Sequence, residues 1–299
     1  MSKQESKFED YLASNRRSLL KSVGLGVAGT AALAATGVAG LGFGSTPAMA
    51  QTNTDVEVFN FALNLEYLEA EFYLRAVTGS GIPSSLTGGG GSVTGGSLVP
   101  FQNSAIAYMA QKIAVDELAH VNFIRTVLGS AAVPEPTIDL VNSFNTLGVA
   151  AGLIVPGQTF NPFASETDFL LGAYIFEDVG ATAYSGAAAS LSAAVLPYAA
   201  SILAVEGYHA GAIRGRLSQI GGDTATNLIS ALRQKLSGVG DNGLSYQSNP
   251  ANFTNVDSNG QVYRRTPQQV LSIVYGGGTT NGLFYPNGMN GAITSTASS

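Results

Sequence analysis

The chain has 299 residues, 45% of them hydrophobic and only 11% charged, with a formal net charge of −6 and no cysteine. That length and apolar share suit one large domain or two small ones with a substantial core. Lack of cysteine excludes disulfides, thiolate metal sites and a thiol nucleophile, and an acidic chain without a basic patch speaks against nucleic acid as a partner.

The chain opens on Asn15-Arg16-Arg17-Ser18-Leu19-Leu20-Lys21, a twin-arginine pattern. A weakly hydrophobic Ala/Gly-rich run follows from Ser22 to Gly44, and Ala48-Met49-Ala50 before Gln51 is a small-residue cleavage signature. Residues 1–50 are therefore expected to be a signal peptide read by the twin-arginine export machinery, with the periplasm or cell envelope as destination. A retained membrane anchor is the alternative, but glycines spaced from Gly24 to Gly44 make a poor membrane helix. Export of already folded proteins suits one that takes up its metal before leaving the cytoplasm.

A first helix is predicted from Asn53 to about Val77, with Phe59, Ala62, Leu63, Glu66, Ala70, Tyr73 and Val77 on one face. The Gly/Ser/Thr-rich stretch from Gly79 to Pro100 ends it as a loop. A second helix, about Gln102 to Leu128, places Ile106, Met109, Ile113, Glu117, His120, Ile124 and Val127 together. Residues 129–163, rich in proline and turn formers, read as a long crossover. The third helix, about Ser165 to Leu191, aligns Leu170, Ala173, Glu177, Ala181, Tyr184 and Ala188, and Pro197 opens a fourth that aligns Ile202, Leu203, Glu206, His209, Ile213 and Leu217 to about Ile220. A further helix over Thr224 to Leu236 and a short one from Thr266 to Tyr275 lie in a Gly/Asn/Ser-rich tail expected to wrap the bundle or meet a partner. The domain plan is thus signal peptide to residue 50, four-helix bundle over 51–222 and C-terminal extension over 223–299.

His120 and His209 are the only two histidines, and each follows a glutamate by three positions: Glu117 and Glu206. With 11 glutamates in 299 residues, that double coincidence arises by random placement roughly once in a thousand. Positions three apart are neighbours on a helix, so the carboxylate and the imidazole can reach one ion together. The pattern repeats across the two halves: Glu66 and Tyr73 precede Glu117 and His120, and Glu177 and Tyr184 precede Glu206 and His209. Seven residues is about two turns, which puts each tyrosine on the face of its glutamate. Four carboxylates in apolar stripes without a lysine or arginine on the same faces call for counter-charge, and two divalent cations supply it. Glu69 can be a ligand, a supporting group or a surface residue, and Asp116 and Asp178 can either hydrogen-bond an imidazole of the other half or face solvent.

The set of two single glutamates and two Glu-x-x-His pairs resembles the ferritin-like di-iron and di-manganese bundles, an all-α fold with a long crossover between helices 2 and 3. Asn60-Phe61-Ala62-Leu63-Asn64-Leu65-Glu66-Tyr67-Leu68-Glu69-Ala70-Glu71-Phe72-Tyr73 and Thr266-Pro267-Gln268-Gln269-Val270-Leu271-Ser272-Ile273-Val274-Tyr275 are similar to exported ferritin-like domain proteins related to plant desiccation-related proteins. The resemblance implies two iron or manganese ions held by Glu66, Glu117, His120, Glu177, Glu206 and His209, with Glu117 and Glu206 bridging, Glu66 and Glu177 terminal and each histidine on one metal. Redox chemistry on dioxygen, peroxide or ferrous ion, in oxidative or desiccation stress, is the expected activity, with ferroxidase-like and manganese-catalase-like reactions both open. A protective envelope protein in which metal only staples the bundle is the alternative, and homo-oligomerisation is left open.

Overall fold

The computed structural model describes residues 52–245 and 252–297; the predicted signal peptide lies outside the described residues. Four long helices carry the fold. Helix α1 (Asn53–Thr78) starts on a capping box in which Thr52 and Asp55 each accept from the other's backbone N–H, and it stops at Gly79, whose φ of 77° suits a left-handed cap. After the short α2 (Ser84–Thr87), helix α3 (Ser104–Leu128) begins where the Asn103 side chain accepts from Ala105 N and Ile106 N. Helix α4 (Asn142–Ala151) lies in the crossover. Helix α5 (Glu166–Ala187) is capped by Ser165, and α6 (Leu196–Gln219) carries Pro197 in its first turn. Helices α7 (Asp223–Ser237) and α8 (Pro267–Val274) complete the eight helices among the described residues. None of them is long and apolar enough to cross a membrane.

Each half of the bundle is an antiparallel pair, α1 with α3 and α5 with α6, and the halves meet through α1 against α5 and α3 against α6. The residues that make this possible are small or aliphatic: Ala70, Ala107, Ala110, Ala114 and Ala173 are fully buried and let the axes approach. The four predicted helices are therefore found, with ends shifted by only a few residues.

Three features depart from the sequence reading. The crossover carries its own helix, α4, which inserts Phe144 into a cluster with Phe72, Phe160, Phe176 and Phe284. The Gly-rich loop is not free, because β1 (Val93–Thr94) pairs in parallel with β2 (Ile138–Asp139) and ties loop to crossover. Finally, α1 is buried nearly all round rather than on one face. Its outer side is covered by the tail: Asn64 and Asn290 exchange two hydrogen bonds of 2.8 and 2.9 Å, and Tyr285 donates to Asn64 O at 2.8 Å. Thus the tail wraps the bundle.

The extension is fastened by buried ions. Arg214 donates to both Asp178 oxygens at 2.8 and 3.1 Å, Arg233 bridges Asp178 and Asp241 at 2.9 and 2.7 Å, and Arg265 reaches Asp241 at 2.8 Å. Both Arg214 and Arg233 also lie over the Tyr174 ring. Asp178 is therefore turned away from the histidines, which overturns one of its two expected roles, and it is buried rather than solvent-facing, which overturns the other.

Glu135 is a further buried carboxyl, with Oε1 lacking a hydrogen-bond partner among the described residues. Burial, then the neighbouring Glu71, pushes it up to about 8. A folded-state value above the unfolded one means that the native chain binds the extra proton, so this contribution is present below about pH 4.5 and is lost as pH rises through 8. Stability is expected to fall between those values with a slope of up to about 1.4 kcal/mol per pH unit from this group. In chemical denaturation across that range Glu135→Gln should flatten the slope; an unchanged slope would remove Glu135 as its source.

Candidate metal centre

Six side chains predicted from the sequence meet in the middle of the bundle. Glu66 comes from α1, Glu117 and His120 from α3, Glu177 from α5, and Glu206 and His209 from α6. The four carboxylates are fully buried and the imidazoles nearly so. His120 Nδ1 lies 3.1 Å from Glu66 Oε2, 3.2 Å from Glu117 Oε2 and 3.9 Å from Glu206 Oε1. His209 Nδ1 lies 2.8 Å from Glu117 Oε1 and 3.3 Å from Glu177 Oε2. Two donor groups result: Glu66, Glu117, His120 and Glu206 form one, and Glu117, Glu177 and His209 the other, with donor atoms within 4.8 Å of one another in each. Glu117 belongs to both, as a bridging carboxylate must, whereas Glu206 falls in the His120 group alone.

The fit to cations rests on buried donor atoms with too few partners. Both Glu206 oxygens are buried without a hydrogen-bond partner among the described residues, and Glu117 Oε1 and Glu177 Oε2 share the single His209 Nδ1, at 2.8 and 3.3 Å. An unpartnered buried polar atom costs on the order of 1–3 kcal/mol, more when charged, and two such oxygens beside three atoms that face only one another are what a pair of oxygen- and nitrogen-liganded cations would satisfy. Room is provided by Gly180, where a Cβ would stand 2.1 Å from Glu206 Oε2 and 3.3 Å from Glu69 Oε1.

Burial first, and then the neighbouring charges, decide the protonation of the ring of acids. Burial pushes Glu206 and Glu69 well above the ordinary carboxylate range, and the other glutamates add to it. Glu66 is raised by burial to about 7 although His120 opposes the rise. For Glu117 burial also acts upward, but the two imidazoles prevail and hold it low. Burial disfavours the charged imidazoles, yet Glu66 and Glu117 push His120 up to about 12, and Glu177 leads the rise of His209. Metal binding here must therefore displace protons, and affinity should rise with pH.

The tyrosines add a detail that helical periodicity did not reveal. Each lies on the face of its own glutamate but serves the other half: Tyr73 donates to Glu177 Oε1, and Tyr184 donates to Glu66 Oε1 at 2.5 Å. Burial, reinforced by those carboxylates, holds both phenols well above their usual pKa, so they act as fixed donors. Glu69 is buried beside the ring of acids rather than on the surface, outside both donor groups. Asp116 accepts a hydrogen bond from His209 Nε2 at 3.2 Å and pairs with Lys112. It stands in a groove of about 800 Å³ between α3 and α6, lined among others by Tyr108, Lys112, Tyr208 and His209.

Two helices with a lone glutamate facing two with Glu-x-x-His define a ferritin-like bundle, and the chain belongs to the ferritin-like domain family, which matches residues 54–219. More particularly, it is 34% identical over 245 residues to the desiccation-related protein PCC13-62 of Craterostigma plantagineum, an overlap of 73% of this chain and 76% of that protein. It is also 29% identical over 268 residues to the ferritin-like catalase Nec2 of Nesocodon mauritianus, covering 80% of this chain and 84% of the relative. No solved structure matches the chain.

Proposed function

We propose that this is an exported dinuclear iron or manganese protein that carries out redox chemistry on a small oxygen species, with hydrogen peroxide the substrate to test first. The observation that carries the reading is the convergence of buried donor atoms from Glu117, Glu177, Glu206 and His209, of which both Glu206 oxygens have no hydrogen-bond partner among the described residues and the rest face only one another. The similar protein named a catalase motivates the choice of peroxide. Glu66, Glu117, His120, Glu177, Glu206 and His209 hold the ions in this reading, and two redox metals, when bound, supply the two-electron exchange. In the balanced reaction two molecules of peroxide give two of water and one of dioxygen.

The chain's own residues have three tasks. Tyr73 and Tyr184 fix one oxygen each of Glu177 and Glu66, which leaves the second oxygen to point inward. Glu69, a buried carboxyl beside Glu206 whose burial favours the protonated form, can give that proton as a general acid and take it back as the carboxylate. The groove beside His209 is wide enough to admit peroxide to the face of the centre that His209 lines. The twin-arginine pattern motivates export to the periplasm or cell envelope, where such an activity would protect against oxidative or desiccation stress.

Dioxygen release from peroxide by protein reconstituted with manganese, and separately with iron, tests the activity. Turnover above the free-metal blank by at least about a hundredfold is expected, because general acid–base assistance alone is worth that much. Release no faster than the blank with either metal, for peroxide and for ferrous-ion oxidation alike, would overturn the reading. The observation that would favour a metal used only as a staple is a large rise in melting temperature on loading together with no turnover.

A further inference from the structure

The two halves of the centre differ on the outer side of their histidines. Asp116, immediately before Glu117, crosses from α3 to α6 and accepts from His209 Nε2 at 3.2 Å, while Lys112 pairs with its other oxygen. That bond orients the ring and turns Nδ1 toward Glu117 and Glu177, at 2.8 and 3.3 Å. In the second half the corresponding position, immediately before Glu206, is Val205. Every hydrogen-bond and ion-pair contact of His120 among the described residues is made by Nδ1, to Glu66, Glu117 and Glu206. So one imidazole has a carboxylate behind it and the other does not.

A carboxylate on the far N–H fixes the tautomer and ring angle and raises the basicity of the ligating nitrogen; removing such a partner typically costs 10–100-fold in metal affinity. We propose that Asp116 makes the two metal positions unequal: although the His209 group offers three donors against four around His120, the carboxylate behind His209 makes its position fill first, and the one containing His120 is the weaker, exchangeable position. The proposal rests on the dinuclear reading above. Asp116 acts through His209 and is a positioning residue.

The test is a Mn²⁺ titration of purified metal-free protein, followed by loss of the free-ion electron paramagnetic resonance signal. The unsubstituted chain is expected to bind in two steps separated by about 10- to 100-fold in affinity. Asp116→Ala should weaken the first step by a similar factor and leave the second nearly in place, and Asp116→Asn, which keeps an acceptor but not the charge, should fall between. Val205→Asp should strengthen the second step, which a merely structural role for Asp116 would not do. Two ions bound with one affinity, equal weakening of both steps by Asp116→Ala, or an unmoved second step in Val205→Asp would each overturn the inequality. Uptake of fewer than two ions by the unsubstituted chain would instead defeat the dinuclear reading itself. Circular dichroism of each variant confirms that a helical bundle is being titrated.

Discussion

Changing Glu117 to glutamine is expected to reduce metal uptake from about two ions per chain to near zero, whereas Glu66→Gln should leave about one. The difference follows from position: Glu117 is shared by both donor groups, with Oε2 toward His120 and Oε1 toward His209, but Glu66 belongs only to the His120 group. Glutamine preserves the volume of the side chain and removes its charge, so the bundle should keep its helical spectrum. Equal losses in the two variants would mean that Glu117 does not link the positions. Elemental analysis after loading and desalting distinguishes these outcomes.

The second large effect is on stability and lies outside the metal centre. Arg233 is almost entirely buried and holds Asp178 and Asp241 together, while its guanidinium rests on Tyr174. Arg233→Ala leaves carboxylates in a dry interior with a charge removed, which typically costs about 3–5 kcal/mol. For a chain of this size that is a drop in melting temperature on the order of 10 °C. Arg264→Ala, at an exposed position, should stay within about 0.5 kcal/mol. If the two variants melt together, the buried network does not hold the extension to the bundle. The same network touches the centre indirectly, since Asp178 directly follows Glu177 on α5.

The residues brought together at the centre were legible because helical periodicity is a local property. Glu66, Glu117, Glu177 and Glu206 each interrupt an apolar stripe, and a repeated Glu-x-x-His survives any uncertainty about helix ends. Partner identity was not legible. Tyr73 is two turns from Glu66 along α1, yet its hydroxyl meets Glu177, because the pairing of α1 with α5 is set by the bundle and not by either helix. Asp178 sits one residue, about 100° of rotation, from Glu177, and that angle takes it out of the centre to Arg214 and Arg233, 36 and 55 residues away in sequence.

Low charge content misled in one direction. It makes the buried acids conspicuous, yet Arg214, Arg233 and Arg265 are buried as well, and no local pattern in the sequence marks them. Helix α4 was hidden by its length of ten residues and by the glycine and proline around it, and it exists because Phe144 and Leu147 find a core already built by α1 and α5. The two-residue strands β1 and β2 carry no signal that a sequence can show, as their pairing depends on where the crossover lands.

The most direct test of the account is the number of metal ions per chain in the purified protein. About two iron or manganese per chain is the predicted result, one for each of the two donor groups. A folded, helical protein with a value near zero, which stays near zero after incubation with either metal, would contradict it.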